Sequence, residues 1–361
     1  MGRLSRCEVF DPGDIAIAHV HNRTVRRCFL MGDDPYSGKN FDHRKVWIEQ
    51  HLQQFAAAFG IDLLGFAILS NHFHLILRTR PDVVATWSDP EVARRWMLLC
   101  PHRRHADGSP MPPTESEIQS IAGCPVKRAE IRKRLSSISW WMRLLCQRVA
   151  TRANREEEES GRFFQDRFHA TRLADEASLL ACAAYVDLNP IRAAMAATLE
   201  GSDHTSLQRR IQAIPAGDRC EVAGSANPPA MAAADPVDRF LSPLTIDERT
   251  DPIGPCPSDS GCRCSDKGFL AMPLEDYLQL LDWTARQVAP GKRGKTPAGV
   301  PSVLKRLRLD ASSWCELASD FGSLFCTVAG RPERVDSMRS HRTHRRYHLR
   351  RRARELLTSA S

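Results

Sequence analysis

The chain has 361 residues, 42% hydrophobic and 26% charged, with a formal net charge of +8. That length suffices for a sizeable core plus a second domain or large decorations, and no apolar run approaches the ~20 residues needed to cross a bilayer. The positive balance favours a polyanionic partner, because Lys and Arg displace counterions condensed on nucleic acid; much of the excess lies toward the C-terminus, where a solvated basic tail explains it equally. The first residues lead into no secretory apolar segment, so a cytoplasmic location is expected. Twelve cysteines are scattered singly, with no CxxC pair, and read mostly as reduced, buried thiols. Cys256, Cys262 and Cys264 cluster at a spacing that matches no zinc pattern.

Residues 15–24 read as a first strand, with Ile15, Ile17, His19 and His21 on one face and Ala16, Ala18, Val20 and Asn22 on the other. His19 and His21 are taken as sheet-surface histidines, since no partner motif follows them. A turn-rich stretch at 32–38 precedes an amphipathic helix carrying Ile48, Leu52, Phe55 and Phe59, stopped by Gly60. Residues 61–69 and 72–79 form a hairpin closed by Ser70 and Asn71. Side chains alternate along its second arm, so His72 and His74 project from one face while Phe73, Leu75 and Leu77 fill the other. Two imidazoles side by side make half a metal site.

Residues 81–134 read as an insertion of charged helical pieces around a Pro-, Gly- and Ser-rich loop. Ile138, Trp141, Met142, Leu145 and Val149 mark a strong helix, and the acidic run Glu156 to Glu159 reads as a solvated loop. Residues 161–168 fit a strand; Arg162 and Arg167 among its aromatic groups suit a nucleic-acid surface or, as commonly, an edge strand with snorkelling arginines. Asp175 offers an N-cap for a helix running from Glu176 through Tyr185. Tyr185 and Asn189 stand four apart, which on a helix places a phenol and an amide on one face. Asn189 also directly precedes Pro190, a pattern that reads as the N-cap of a new helix. Beyond Ile211 the composition shifts to Ala, Pro, Gly and Asp; residues 213–265 read as a linker and 266–361 as a helical extension with a basic tail. In that extension Leu274, Tyr277, Leu278 and Leu281 form one apolar stripe.

Ser70-Asn71-His72-Phe73-His74-Leu75 resembles the histidine-hydrophobe-histidine strand of the single-tyrosine HUH transposases. Tyr185-Val186-Asp187-Leu188-Asn189-Pro190-Ile191-Arg192-Ala193 resembles the tyrosine helix of their REP-associated tyrosine transposase (IS200-like) group. The resemblance spans roughly residues 10–200, interrupted by the insertion. It implies an α+β fold, a ferredoxin-like HUH core with an antiparallel sheet flanked by helices. It further implies cleavage and rejoining of single-stranded, hairpin-bearing DNA by Tyr185 through a 5′-phosphotyrosine. His72, His74 and Asn189 would then hold a divalent ion, Mg²⁺ or Mn²⁺, and Arg23, Arg162, Arg167 and Arg192 become candidate DNA contacts. The expected partner is DNA rather than a membrane, with homodimer and monomer both open. Two rivals remain: a non-catalytic binder of structured DNA or RNA on the same fold, and an unrelated metal phosphoesterase. The second would call for Asp or Glu ligands, which the residues flanking the histidine pair do not offer.

Overall fold

A computed structural model describes residues 9–35, 37–106, 109–214, 236–247, 254–288, 299–340 and 347–358. Parts of the expected linker, 215–235 and 248–253, and of the basic tail, 341–346 and 359–361, lie outside the described residues. The fold is α+β. Its sheet contains β1 (Ile17–Arg23), β2 (Ile61–Ile68), β3 (His72–Thr79), β4 (His169–Leu173) and β5 (Val328–Ala329), in the order β2-β3-β1-β4-β5. The first four strands pair antiparallel. Strand β5 pairs parallel to β4, so the sheet is mixed; the extra strand comes from the C-terminal extension.

Helices cover both faces, the arrangement a sheet apolar on each side requires. One face carries α1 (His43–Ala58) and α6 (Ile138–Glu156). Their Leu52, Phe55, Trp141 and Leu145 share a buried cluster with Val20, Phe73, Leu75 and Leu77 of the strands. Between them in sequence, α2 (Pro81–Thr86), α3 (Asp89–Leu99), α4 (Glu115–Ala122) and α5 (Pro125–Leu135) make up the insertion. The opposite cluster gathers α7 (Glu176–Asp187), the single turn α8 (Asn189–Arg192) and α9 (Ser206–Ala213). It also takes in α10 (Leu274–Val288), α11 (Gly299–Arg306), α12 (Ala311–Leu324), α13 (Pro332–Ser340) and α14 (Arg351–Thr358). Helix α7 is buried almost all round, as its unbroken run of Leu, Ala, Cys and Val demands. Among the described residues no helix is long and apolar enough to cross a membrane.

Three sequence expectations change. Residues 161–168 form no strand: consecutive Phe163 and Phe164 are both buried, which breaks the alternation a strand needs, and one bridge from Phe164 to Thr24 is all the pairing there. The strand begins directly afterwards, at His169. The acidic run is not wholly solvated, because Glu156 and Glu157 pair with Arg44, a fully buried guanidinium stacked 4.0 Å from the Phe41 ring. Finally, Phe240 and Leu241, within the stretch whose composition suggests a linker, are buried in the core beside α1 and α6.

A second buried ion network fastens the far end of β3. Asp62, 1% exposed, accepts from Arg78 at 2.8 Å, from Arg80 at 3.2 Å and from the Ser265 hydroxyl at 2.8 Å. Removing one member of such a set strands the remaining charges in the interior. Asp62→Ala is therefore expected to cost about 3–5 kcal/mol of stability, read as a shift in the denaturant midpoint at unchanged slope.

Candidate active site

The first layer of the site is the sheet register. His21 lies directly opposite His74 of β3 and His169 of β4, and Arg23 lies opposite His72. Residues paired in this way share a face. Because side chains alternate along each strand, His19, His21, His72, His74 and His169 all project from the face that α7 covers. The rings are in contact: His19 and His74 stack at 5.1 Å with 14° between planes, His21 and His169 at 4.7 Å and 2°, and His72 meets His74 edge-on at 5.0 Å.

Their polar atoms are unevenly satisfied. His19 Nε2 lies 2.9 Å from His74 Nδ1, and His72 Nδ1 lies 2.6 Å from Asn71 Oδ1. His21 Nδ1 and His74 Nε2 are buried without any hydrogen-bond partner. Burial holds four of these imidazoles neutral: the pKa falls to about 3 for His19, about 2 for His21 and about 4 for His72, and lies well below 6.5 for His74. The positive charge of Arg23 adds to burial at both His72 and His21. Neutral imidazoles with free lone pairs are metal ligands. His19, His21 and His74 each offer one ligand atom, and these atoms lie within 4.8 Å of one another. The orphaned nitrogens are the type of donor that a divalent metal would take on this face.

Tyr185 enters from α7. Asp175 caps that helix by accepting from the Ser178 amide at 2.9 Å, and Ser178 returns the bond, which fixes where the helix starts and hence where Tyr185 points. Its ring meets His74 edge-on at 5.4 Å and His19 at 5.9 Å. Burial raises the phenol pKa, while the Arg192 charge and a hydrogen bond from the Asn189 side chain oppose that rise. Arg192 Cζ sits 5.0 Å from the centre of the Tyr185 ring. Asn189 caps nothing: the turn that starts there is entered from Leu188 in a helical conformation, with no side-chain cap. It is buried at 8% exposure, and its side chain acts to lower the phenol pKa.

The candidate DNA contacts are placed as follows. Arg23 is half-buried beside His72. Arg162 and Arg167 are exposed on a segment tied to the end of β1, where the Gln165 amide donates to the Arg23 carbonyl at 2.8 Å and the Val25 amide to the Phe163 carbonyl at 3.0 Å. Arg192 is exposed over the phenol. All four thus stand at the His72 end of the sheet or over Tyr185.

Sequence reasoning missed the participation of His19, His21 and His169, and of two residues of the extension. The repeated i, i+2 histidines of β1 carried a signal; Phe321 and Gly322 of α12 carried none. Phe321 packs 6.0 Å from the Tyr185 ring and 5.8 Å from His19. A Cβ on Gly322 would stand 2.9 Å from the Tyr185 hydroxyl. Gly322→Ala is expected to leave stability near that of the wild type, since the ~1 kcal/mol by which Ala is favoured over Gly in a helix offsets the cost of the close approach. At the same time it displaces the hydroxyl by a few tenths of an ångström and lowers any tyrosine-dependent reaction roughly 10-fold. Thermal melts and reaction rates on one protein preparation check both halves.

The sequence matches no protein-family model and no curated protein. Among solved structures there is a match to one titled "Structure of the REP associates tyrosine transposase bound to a REP hairpin", at 9% sequence identity and a TM-score of 0.29, covering 54% of this chain and 78% of that one. A likeness at that level carries no functional argument for this chain.

Proposed function

We propose that this protein cleaves and rejoins single-stranded, hairpin-bearing DNA through a 5′-phosphotyrosine at Tyr185, as a metal-dependent transposase of the single-tyrosine HUH type. The observation that carries the reading is the meeting of Tyr185 with His74, 5.4 Å ring to ring, from two motifs far apart in sequence. In the reaction, Tyr185 Oη forms a bond to phosphorus and the bond from phosphorus to the 3′-oxygen breaks. The phenol loses its proton and the departing 3′-oxygen takes one up. The phosphotyrosine retains the energy of the phosphodiester, so rejoining by a 3′-hydroxyl consumes no nucleotide.

A buried phenol is a poor nucleophile at neutral pH. Here the Arg192 guanidinium and the Asn189 amide both favour the phenolate, which offsets part of the cost of burial. His72, His74 and Asn189 are the proposed ligands for Mg²⁺ or Mn²⁺. Such an ion, when bound, polarises the scissile phosphate and draws off developing charge. Arg23, Arg162 and Arg167 would hold flanking phosphates, as Lys and Arg do along single strands generally.

The test uses hairpin oligonucleotides labelled at either end, incubated with the protein and Mn²⁺ or Mg²⁺, then resolved on a denaturing gel and by peptide mass spectrometry. A metal-dependent covalent species on Tyr185 is expected. Binding without an adduct across a broad pool of hairpins would overturn the reading in favour of a non-cutting binder. Release of nicked product over many turnovers with no adduct would favour a phosphoesterase.

A further inference from the structure

The histidine face contains more ligand nitrogens than strand cleavage needs. We infer that His19 and His21 of β1, together with His74 of β3, form an all-imidazole site for a divalent transition-metal ion. This goes beyond strand cleavage, because metal capture by three imidazoles requires neither DNA nor Tyr185. Four observations support it. The three ligand atoms lie within 4.8 Å of one another. His19 Nε2 and His74 Nδ1 are 2.9 Å apart, within about half an ångström of the ~3.0–3.4 Å between neighbouring ligands of an ion whose bonds are about 2.1 Å long. His21 Nδ1 is buried with no partner; leaving a buried polar atom unmatched costs about 1–3 kcal/mol, and a bound ion relieves that cost. His169 stacks flat on His21 and fixes its plane, as outer contacts orient ligating histidines elsewhere.

The competing set is less free. His72 Nδ1 is engaged by Asn71. Binding at His19 and His74 asks only that the donor of that pair carry its proton on its other nitrogen, a tautomer shift that leaves both rings neutral. Nitrogen ligands select Zn²⁺, Co²⁺, Ni²⁺ or Cu²⁺ over Mg²⁺, which prefers oxygen and retains its waters.

The experiment titrates Co²⁺ into chelator-treated full-length protein in the absence of DNA, following visible absorption, with Zn²⁺ as competitor. One equivalent is expected to bind and to be displaced by Zn²⁺. His21→Gln is expected to weaken binding about 100-fold, while His51→Gln, on α1 and outside both ligand sets, changes it by less than about 3-fold. Loss of binding in His72→Ala with His21→Gln unaffected would overturn the inference, as would absence of binding by protein with a native unfolding transition. Pulsed EPR of the wild type loaded with Cu²⁺ needs no variant: three coordinated imidazoles support the site, and two or fewer refute it. None of these readouts involves DNA, so failure of the metal site and failure of the cleavage reading remain separable.

Discussion

Replacing Tyr185 with Phe is expected to reduce covalent DNA adduct formation by at least ~10³-fold, to below detection, while hairpin affinity stays within about 3-fold. The substitution keeps what the ring does and removes only the hydroxyl. The edge-on contacts to His74 and His19 and the packing on Phe321 all belong to the ring. So does the Arg192 contact. What is lost is the hydroxyl alone, whose pKa burial raises against the opposing Arg192 charge and Asn189 side chain. The fold should therefore survive, and a lost adduct can be assigned to the missing nucleophile. If Tyr185 were only an aromatic on a core face, the same variant would leave every DNA-dependent property as it was. Binding by fluorescence anisotropy, adduct by denaturing gel and midpoint by urea separate the two cases.

The local part of the fold was legible because it depends on short-range periodicity. Alternation in 72–79 places His72 and His74 on one face, and β3 spans His72–Thr79. Asp175 caps the helix that begins at Glu176. What alternation cannot supply is the neighbour across the ladder. His19 and His21 carry the same spacing as the central pair, yet only the register that sets His21 between His74 and His169 makes them part of a cluster. Pairing register is a tertiary property, decided by which faces are buried.

The C-terminal contributions were hidden for a different reason. Strand β5 has two residues, too few for any period, and Phe321 looks like every other apolar position of an amphipathic helix. Composition misled at two places for one shared cause, namely that it averages over residues. Phe240, Leu241 and Leu244 are a few buried apolar positions inside a stretch rich in Pro, Ser and Asp. Glu156 and Glu157 look like solvated charge until Arg44, fully buried on α1, is seen to require them.

Stripped of metal, the protein is expected to lose stability steeply as the pH falls below about 6.5, well before ordinary carboxylates titrate. The sign follows from which state binds protons. In the unfolded chain each histidine takes up a proton near 6.5. In the folded chain burial holds His72 neutral down to about 4, His19 to about 3 and His21 to about 2, with His74 also far below its ordinary value. His51, buried against α6 and near Arg148, is held to about 4 and acts in the same direction. Between 6.5 and 4 the unfolded state therefore binds more protons, and stability rises with pH throughout that window. Each of His19, His21, His72 and His74 contributes about 1.4 kcal/mol of loss by pH 5.5, so together these four account for roughly 5–6 kcal/mol, a large fraction of the stability of an ordinary domain. Carboxylates such as Glu49, whose pKa is lowered by His204 and Arg209 against the pull of burial, lose their contribution only at lower pH. Urea midpoints from pH 7.5 to 5 in chelator should show the slope, and His21→Gln should reduce it by one histidine's share. A flat profile down to pH 5 would mean that water reaches the histidine face. Zn²⁺ should raise the curve most at high pH and least at low pH, because protons and metal compete for the same lone pairs.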